Sequence, residues 1–125
     1  MGCEVPIRTP EQAAEILAEI TDSVDFCLFE FILTDRVGHS QDMGQAKKIL
    51  QRLTTFMNGI LTNINLKEHL VLLTSDHGNF EDLSVSTHTR NFVLTIVWGK
   101  HREQLLPQIK RIEDISGALL TLLDD

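Results

Sequence analysis

The chain has 125 residues, 42% of them hydrophobic, with seven glycines and three prolines, which fits one ordinary globular domain with a modest core. Eighteen acidic residues against eleven basic ones give a net charge of −7. No basic stripe interleaved with aromatics appears, which argues against a nucleic-acid surface. The longest apolar run is broken by Glu30 and is too short to cross a bilayer, so no membrane segment is predicted.

The N-terminus, "MGCEVPIRTPEQ", lacks the basic region and apolar core of a signal peptide, and the default expectation is a cytoplasmic protein. Gly2 and Cys3 make a poor acylation site because Pro6 stands where serine or threonine is wanted. Residues 1–8 are expected to be a flexible lead-in. Two cysteines are too few for a disulfide framework, and Cys27, inside an apolar run, reads as a small core residue. The acidic excess has two readings, ligand charge for a cation or a solvated surface.

"RTPEQAAEILAEITD" predicts the first helix. Thr9 suits the N-cap, Pro10 the first helical position, and Gln12 completes a capping box. Ala13, Ile16, Leu17 and Ile20 are expected to face inward. After a polar turn, Phe26 to Leu33 reads as a central strand, apolar on both faces. "DMGQAKKILQRLTTFMNGIL" predicts a second helix, burying Met43, Ala46, Leu50, Leu53, Met57, Ile60 and Leu61. "LVLLT", residues 70–74, reads as a short buried strand. Residues 75–91 are polar and aperiodic, "FVLTIVWG" reads as a third strand, and "EDISGALLTLLDD" as a closing helix with Ile115, Leu119, Leu120 and Leu122 or Leu123 inward. Alternating helices and strands predict an α/β layered fold with a largely parallel sheet.

Sites in such sheets collect at the carboxyl ends of the strands. Three polar clusters are candidates for that edge: Asp35 and His39 in "DRVGH", Asp76 and His77 in "SDHGN", and His88 in "STHTRN". Carboxylates with imidazoles form the mixed ligand set of zinc, manganese and iron-type cations. Asp76 and His77 are expected to diverge in an extended chain, so that one stretch can serve two metals. Gly38 and Gly78 are expected to let the backbone turn tightly beside the ions. Two metals about 4 Å apart clamp a phosphoryl group and activate a nucleophile. Bland readings stand beside these. Asp35 or Asp42 can simply cap a helix, and a lone histidine is more often structural than a ligand. Asn79, Thr87 and Thr89 are candidates for a second shell. Glu81 and Asp82 read as a solvated acidic pair, and His69 and His101 have no assigned role.

Taken in order, Asp-x-x-Gly-His, Asp-His-Gly-Asn and His-Thr-x-Asn form a specific set. From about residue 24 to its end, the chain resembles the C-terminal part of the metalloenzyme domain of the alkaline phosphatase superfamily. Within it, the resemblance is to cofactor-independent phosphoglycerate mutases and phosphoglycerate-mutase-like metalloenzymes. "RIEDISGALLTLL" is similar to the family's closing helix. The resemblance implies a partial alkaline-phosphatase-like α/β/α sandwich of about three strands. It implies two divalent metal ions, manganese or zinc, one held by Asp35, His39 and His88 and the other by Asp76 and His77. It implies a phosphorylated small-molecule substrate for the full-length enzyme.

In the family, one more aspartate and a serine or threonine nucleophile precede the "DxxGH" motif, and Ser23, Ser40 and Ser75 do not match their places. The expectation is therefore the C-terminal portion of a two-metal phosphomutase or phosphate-ester hydrolase, with incompletely filled metal sites and little activity alone. The alternatives are a non-catalytic metal-binding or interaction module on the same scaffold, and a structural domain with incidental Asp and His residues. Arg36, where the mutases usually carry an apolar residue, and "NFVLTI", where members often show prolines, leave the substrate open. An uncovered apolar strand edge predicts a homodimer or larger oligomer.

Overall fold

The computed structural model describes residues 6–123. Gly2 and Cys3, most of the expected lead-in and the last two residues of the closing helix lie outside that range. Helix α1, Pro10–Thr21, begins with the expected capping box: the Gln12 N–H donates to Thr9 Oγ1 at 3.3 Å, and the Thr9 N–H donates to Gln12 Oε1 at 3.1 Å. Its inward face is only partly the expected one: Ala13 and Leu17 pack against the core as expected. Ala14 and Ala18 are buried, whereas Ile16 and Ile20 are exposed. The reason is a close crossing by small residues: a Cβ placed on Gly59 would lie 2.6 Å from that of Ala14.

Helix α2, Leu33–Ser40, is followed directly by α3, Met43–Asn63. Asp42 caps α3 by accepting from the Gln45 N–H at 3.0 Å, which fixes where the chain turns between the two helices. Ala46, Phe56 and Ile60 are its buried residues, while the expected Met43 and Leu50 stay exposed. Ala14, Phe56 and Ile60 form the core, with Leu17, Met57, Ile64 and Val71 packed against it. Val71 belongs to β1, Leu70–Thr74, so the sheet rests on the α1–α3 pair.

The sheet corrects the expected parallel arrangement. Among the described residues it has two strands, β1 and β2, Thr95–Gly99, paired antiparallel from Leu70 opposite Gly99 to Thr74 opposite Thr95. The third predicted strand is shorter than expected, because Phe92 and Leu94 are exposed outside the ladder. The predicted central strand, Phe26 to Leu33, is not a strand either. Residues 26–31 carry no ladder, and Leu33 already begins α2. Phe29 and Phe31 do lean on Phe56, with ring centroids 5.0 and 6.4 Å away. A strand is defined by its neighbour, however, and β1 pairs only with β2 here. Leu28 is consequently 84% exposed rather than covered.

After β2 come α4, Arg102–Leu105, a 3₁₀ turn over Leu106–Gln108, and α5, Asp114–Leu123. Asp114 accepts the Lys110 and Arg111 N–H groups, both at 2.8 Å. Ala118 is the buried residue of α5, flanked by half-buried Ile115, Leu119 and Leu122, whereas Leu120 and Leu123 are exposed. The chain is thus a mixed α/β fold, and no described helix is long and apolar enough to cross a membrane.

The antiparallel pair matters for the site. The loop 75–94 leaves β1 at Thr74 and re-enters the sheet at Thr95, and these two residues face each other with their hydroxyls 3.0 Å apart. His88, which precedes its strand, is thereby delivered to the same sheet edge as Asp76 and His77, which follow theirs.

Candidate metal centre

Asp35 and His39 stand one turn apart on α2, so both side chains leave the same helix face. The expected glycine turn between them is instead helix. Gly38 is buried, and a Cβ there would overlap Asn79 Oδ1, so its smallness serves close approach by the loop rather than a turn. The convergence on one point remains, supplied by helical periodicity.

The loop brings the other ligand types. The Ser75 hydroxyl donates to the His77 carbonyl at 2.7 Å and curls the chain. Asp76 and His77 therefore converge instead of diverging, with His77 Nε2 3.5 Å from Asp76 Oδ2. The Thr89 N–H donates to the Gly78 carbonyl at 2.8 Å, an isolated antiparallel bridge that lays the His88 stretch against the His77 stretch. The rings of His77 and His88 stack with centroids 3.6 Å apart, and His39 lies 5.0 Å from His88.

Asp35 Oδ1 is the common point. The Nε2 atoms of His39, His88 and His77 lie 3.3, 3.5 and 3.9 Å from it. These are ion-pair distances, yet the oxygen is shielded from solvent and has no hydrogen-bond partner, because none of the rings meets it with hydrogen-bond geometry. His39 Nδ1 is 2.7 Å from the Ser86 carbonyl, which only accepts, so Nδ1 is the donor of that bond and the ring is held in place by it.

A metal ion fits this arrangement. Ligand atoms about 2.0–2.2 Å from a zinc-type ion in tetrahedral geometry lie roughly 3.3–3.6 Å from one another. The 3.3 and 3.5 Å separations from Asp35 match such edges. One ligand atom each from Asp35, His39 and His88 falls within 4.8 Å of the others. His77 stands just outside that trio. Asp76, with its side chain 81% exposed, sits at the rim and meets only His77 of the set.

Of the expected supporting residues, Asn79 is 4% exposed and its Nδ2 lies 3.5 Å from His39 Nε2. Thr89 holds the bridge to Gly78, and Thr87 is exposed. Two contributors escaped the sequence reading. The Ser86 carbonyl, which orients His39, leaves no trace in side-chain chemistry. Glu81, read as half of a solvated pair, accepts from the Asn79 N–H at 2.6 Å, the Thr89 hydroxyl and Asn91 Nδ2 at 3.0 Å. The Thr89 hydroxyl, with the Asn79 and Asn91 donors behind it, holds the Glu81 carboxyl below its ordinary range despite partial desolvation. Its place two residues after Asn79, between the two candidate ligand stretches of one loop, was the available signal. His69, which meets Asp22 at 3.2 Å, and His101, which pairs with Gln104 at 2.8 Å, lie outside the cluster.

A carboxylate and three imidazoles converging beside one sheet edge define a candidate divalent-metal centre. The chain belongs to the metalloenzyme superfamily, whose family profile matches residues 7–124. It is 26% identical over 125 residues to the 2,3-bisphosphoglycerate-independent phosphoglycerate mutase of Moorella thermoacetica, covering 94% of this chain and 24% of that protein. The Campylobacter jejuni (strain RM1221) enzyme of the same name is 25% identical over 133 residues, covering 94% of this chain and 27% of its own. The phosphopentomutase of Alkaliphilus metalliredigens is 31% identical over 80 residues, covering 64% of this chain and 18% of its own. The chain spans about a quarter of the length of the mutases it matches. No solved structure matches it.

Proposed function

We propose that this chain carries the metal-binding portion of a two-metal phosphoryl-transfer site, of the phosphoglycerate-mutase or phosphate-ester-hydrolase type, on part of an alkaline-phosphatase-like α/β/α scaffold. The observation that carries the reading is the orphaned Asp35 Oδ1 among three imidazole nitrogens. Asp35, His39 and His88 hold one ion, and His77 with Asp76 contributes to the second. Manganese or zinc, when bound, would neutralise charge on the transferring phosphoryl oxygens. Asp35 supplies the anionic ligand, the Ser86 carbonyl holds the His39 ring in place, and Asn79 backs the same ring. The substrate is a phosphorylated small molecule.

These residues supply ligands but no nucleophile. Ser23, Ser40, Ser75 and Thr34 each donate to a backbone carbonyl, and Thr74 is engaged with Thr95. That same observation supports the second reading, a non-catalytic metal-binding module.

Phosphorus NMR on the manganese-loaded chain separates the readings. The phosphotransfer reading expects metal-dependent broadening of the inorganic phosphate signal, with no interconversion of phosphoglycerates and little hydrolysis of aryl phosphates. Metal binding without any phosphate broadening supports the module. Metal-dependent turnover that survives rigorous purification contradicts the claim that the nucleophile is missing from these residues.

A further inference from the structure

Glu81 belongs to none of the ordered motifs, yet its carboxylate receives donors from both stretches of the loop. Oε2 accepts the Asn79 N–H at 2.6 Å, two residues after His77. Oε1 accepts the hydroxyl of Thr89, the residue after His88, and Asn91 Nδ2 at 3.0 Å. Gly78 supplies an independent sign that the arrangement is built. A Cβ on Gly78 would come within 2.7 Å of Glu81 Oε1 and would overlap Thr89 Oγ1, so only glycine leaves room for the carboxylate and its donor.

We propose that Glu81 is a positioning residue that fastens the His88 stretch to the Asp76–His77 stretch, and so sets the separation of the two groups of metal ligands. This rests on the metal-centre reading above. The Gly78–Thr89 bridge joins the two stretches through backbone, and Glu81 adds three side-chain arms across the same junction. An ionised carboxylate makes these charge-assisted bonds, which are stronger and more directional than neutral ones. Glu81 is not itself a ligand in this geometry, because both oxygens already face donors. Its effect runs through ring placement: His77 and His88 stack at 3.6 Å only while the two stretches stay in register.

The test uses the full chain with Glu81→Gln, Glu81→Ala and Thr89→Val. Glutamine keeps the size but offers an amide donor to one set of the present donors. Cobalt(II) is the metal probe. Glu81→Gln should lower cobalt affinity about tenfold, the lower end of the usual cost of losing a supporting partner, and change the visible cobalt spectrum. Thr89→Val, which removes one arm, should shift both the same way by less. In the metal-free chain, cross-relaxation between the His77 and His88 rings should weaken in Glu81→Gln, and the Thr89 amide should exchange faster. Wild-type ring contacts and exchange rates in folded Glu81→Gln and Thr89→Val would overturn the proposal. So would an unchanged affinity and spectrum. If the wild type binds no cobalt, the metal reading fails by itself, while ring contacts and exchange still decide the role of Glu81. If Glu81→Ala does not fold, the two milder variants carry the decision.

Discussion

His77 and His88 stack face on face, with ring planes inclined by 19° and centroids 3.6 Å apart. One ring leads the loop away from the β1 edge and the other lies near its return. Each therefore supports the other's position, and their Nε2 atoms lie 3.9 and 3.5 Å from Asp35 Oδ1. Removing one ring should loosen the other, so the two should not act independently in metal binding. In a double-mutant cycle of His77→Ala and His88→Ala, read by zinc affinity, the combined loss should fall short of the sum by about 0.5–3 kcal/mol. Strict additivity would mean that the stack does not organise the site.

Gly38 and Asn79 lock helix α2 to the loop. A side chain at Gly38 would overlap Asn79 Oδ1, and both residues are buried. Gly38→Ala should cost about 1–3 kcal/mol in denaturant unfolding, the usual range for overpacking. Gly38→Ala combined with Asn79→Ala should recover part of that stability, since the clash is gone. A Gly38→Ala protein of wild-type stability would place Asn79 elsewhere.

Two carboxylates, the α3 cap Asp42 and Asp114 at the start of α5, make stability depend on pH. Hydrogen bonds from Gln45 hold the Asp42 carboxyl below its ordinary range, and those from Lys110 and Arg111 do the same for Asp114. A carboxyl whose pKa is lower folded than unfolded stabilises above the unfolded value, and that contribution is lost as pH falls through the folded one. Asp42→Ala and Asp114→Ala should each melt below the wild type near neutral pH. The gap should close as pH drops below the ordinary carboxylate range, about 4. A gap that stays constant into acid would mean that the ionised carboxylates contribute nothing.

Much of this was readable in the chain, and the failures have physical causes. The Thr9–Gln12 capping box, the α3 span and the β1 limits are set by local chemistry, and they appeared as expected. The candidate ligand residues were recognisable as an ordered set, and the structure gathers Asp35, His39, His77 and His88, with Asp76 at the rim. Strand partners are long-range. Phe26 to Leu33 has the composition of a strand, but composition does not say whether a neighbour will pair with it. Helix α2 was missed because it is short, has no side-chain N-cap and contains Gly38, all of which weaken a helical signal. The direction of β2 depends on the path of the loop 75–94, which has no periodicity. Glu81 looked like surface because its partners come from that same folded loop.

The run before α2 predicts self-association. Phe26, Leu28, Phe29 and Ile32 are 57, 84, 52 and 43% exposed, a concentration of apolar surface that water does not favour. Sedimentation velocity over a wide concentration range should show a homodimer or larger species, and Leu28→Asp with Phe29→Asp should shift it toward monomer. A wild-type monomer at high concentration with a cooperative melt would refute this.

Asp35, His39 and His88 are proposed to share one divalent ion. Calorimetric titration of the wild type and of Asp35→Ala, His39→Ala, His88→Ala and Asp76→Ala with manganese and zinc tests it most directly. The wild type should bind. The first three variants should lose affinity at least about tenfold, and Asp76→Ala should lose less, because its exposed carboxylate lies outside the trio. Equal heats in the wild type and the three variants, with all of them folded, would contradict the account.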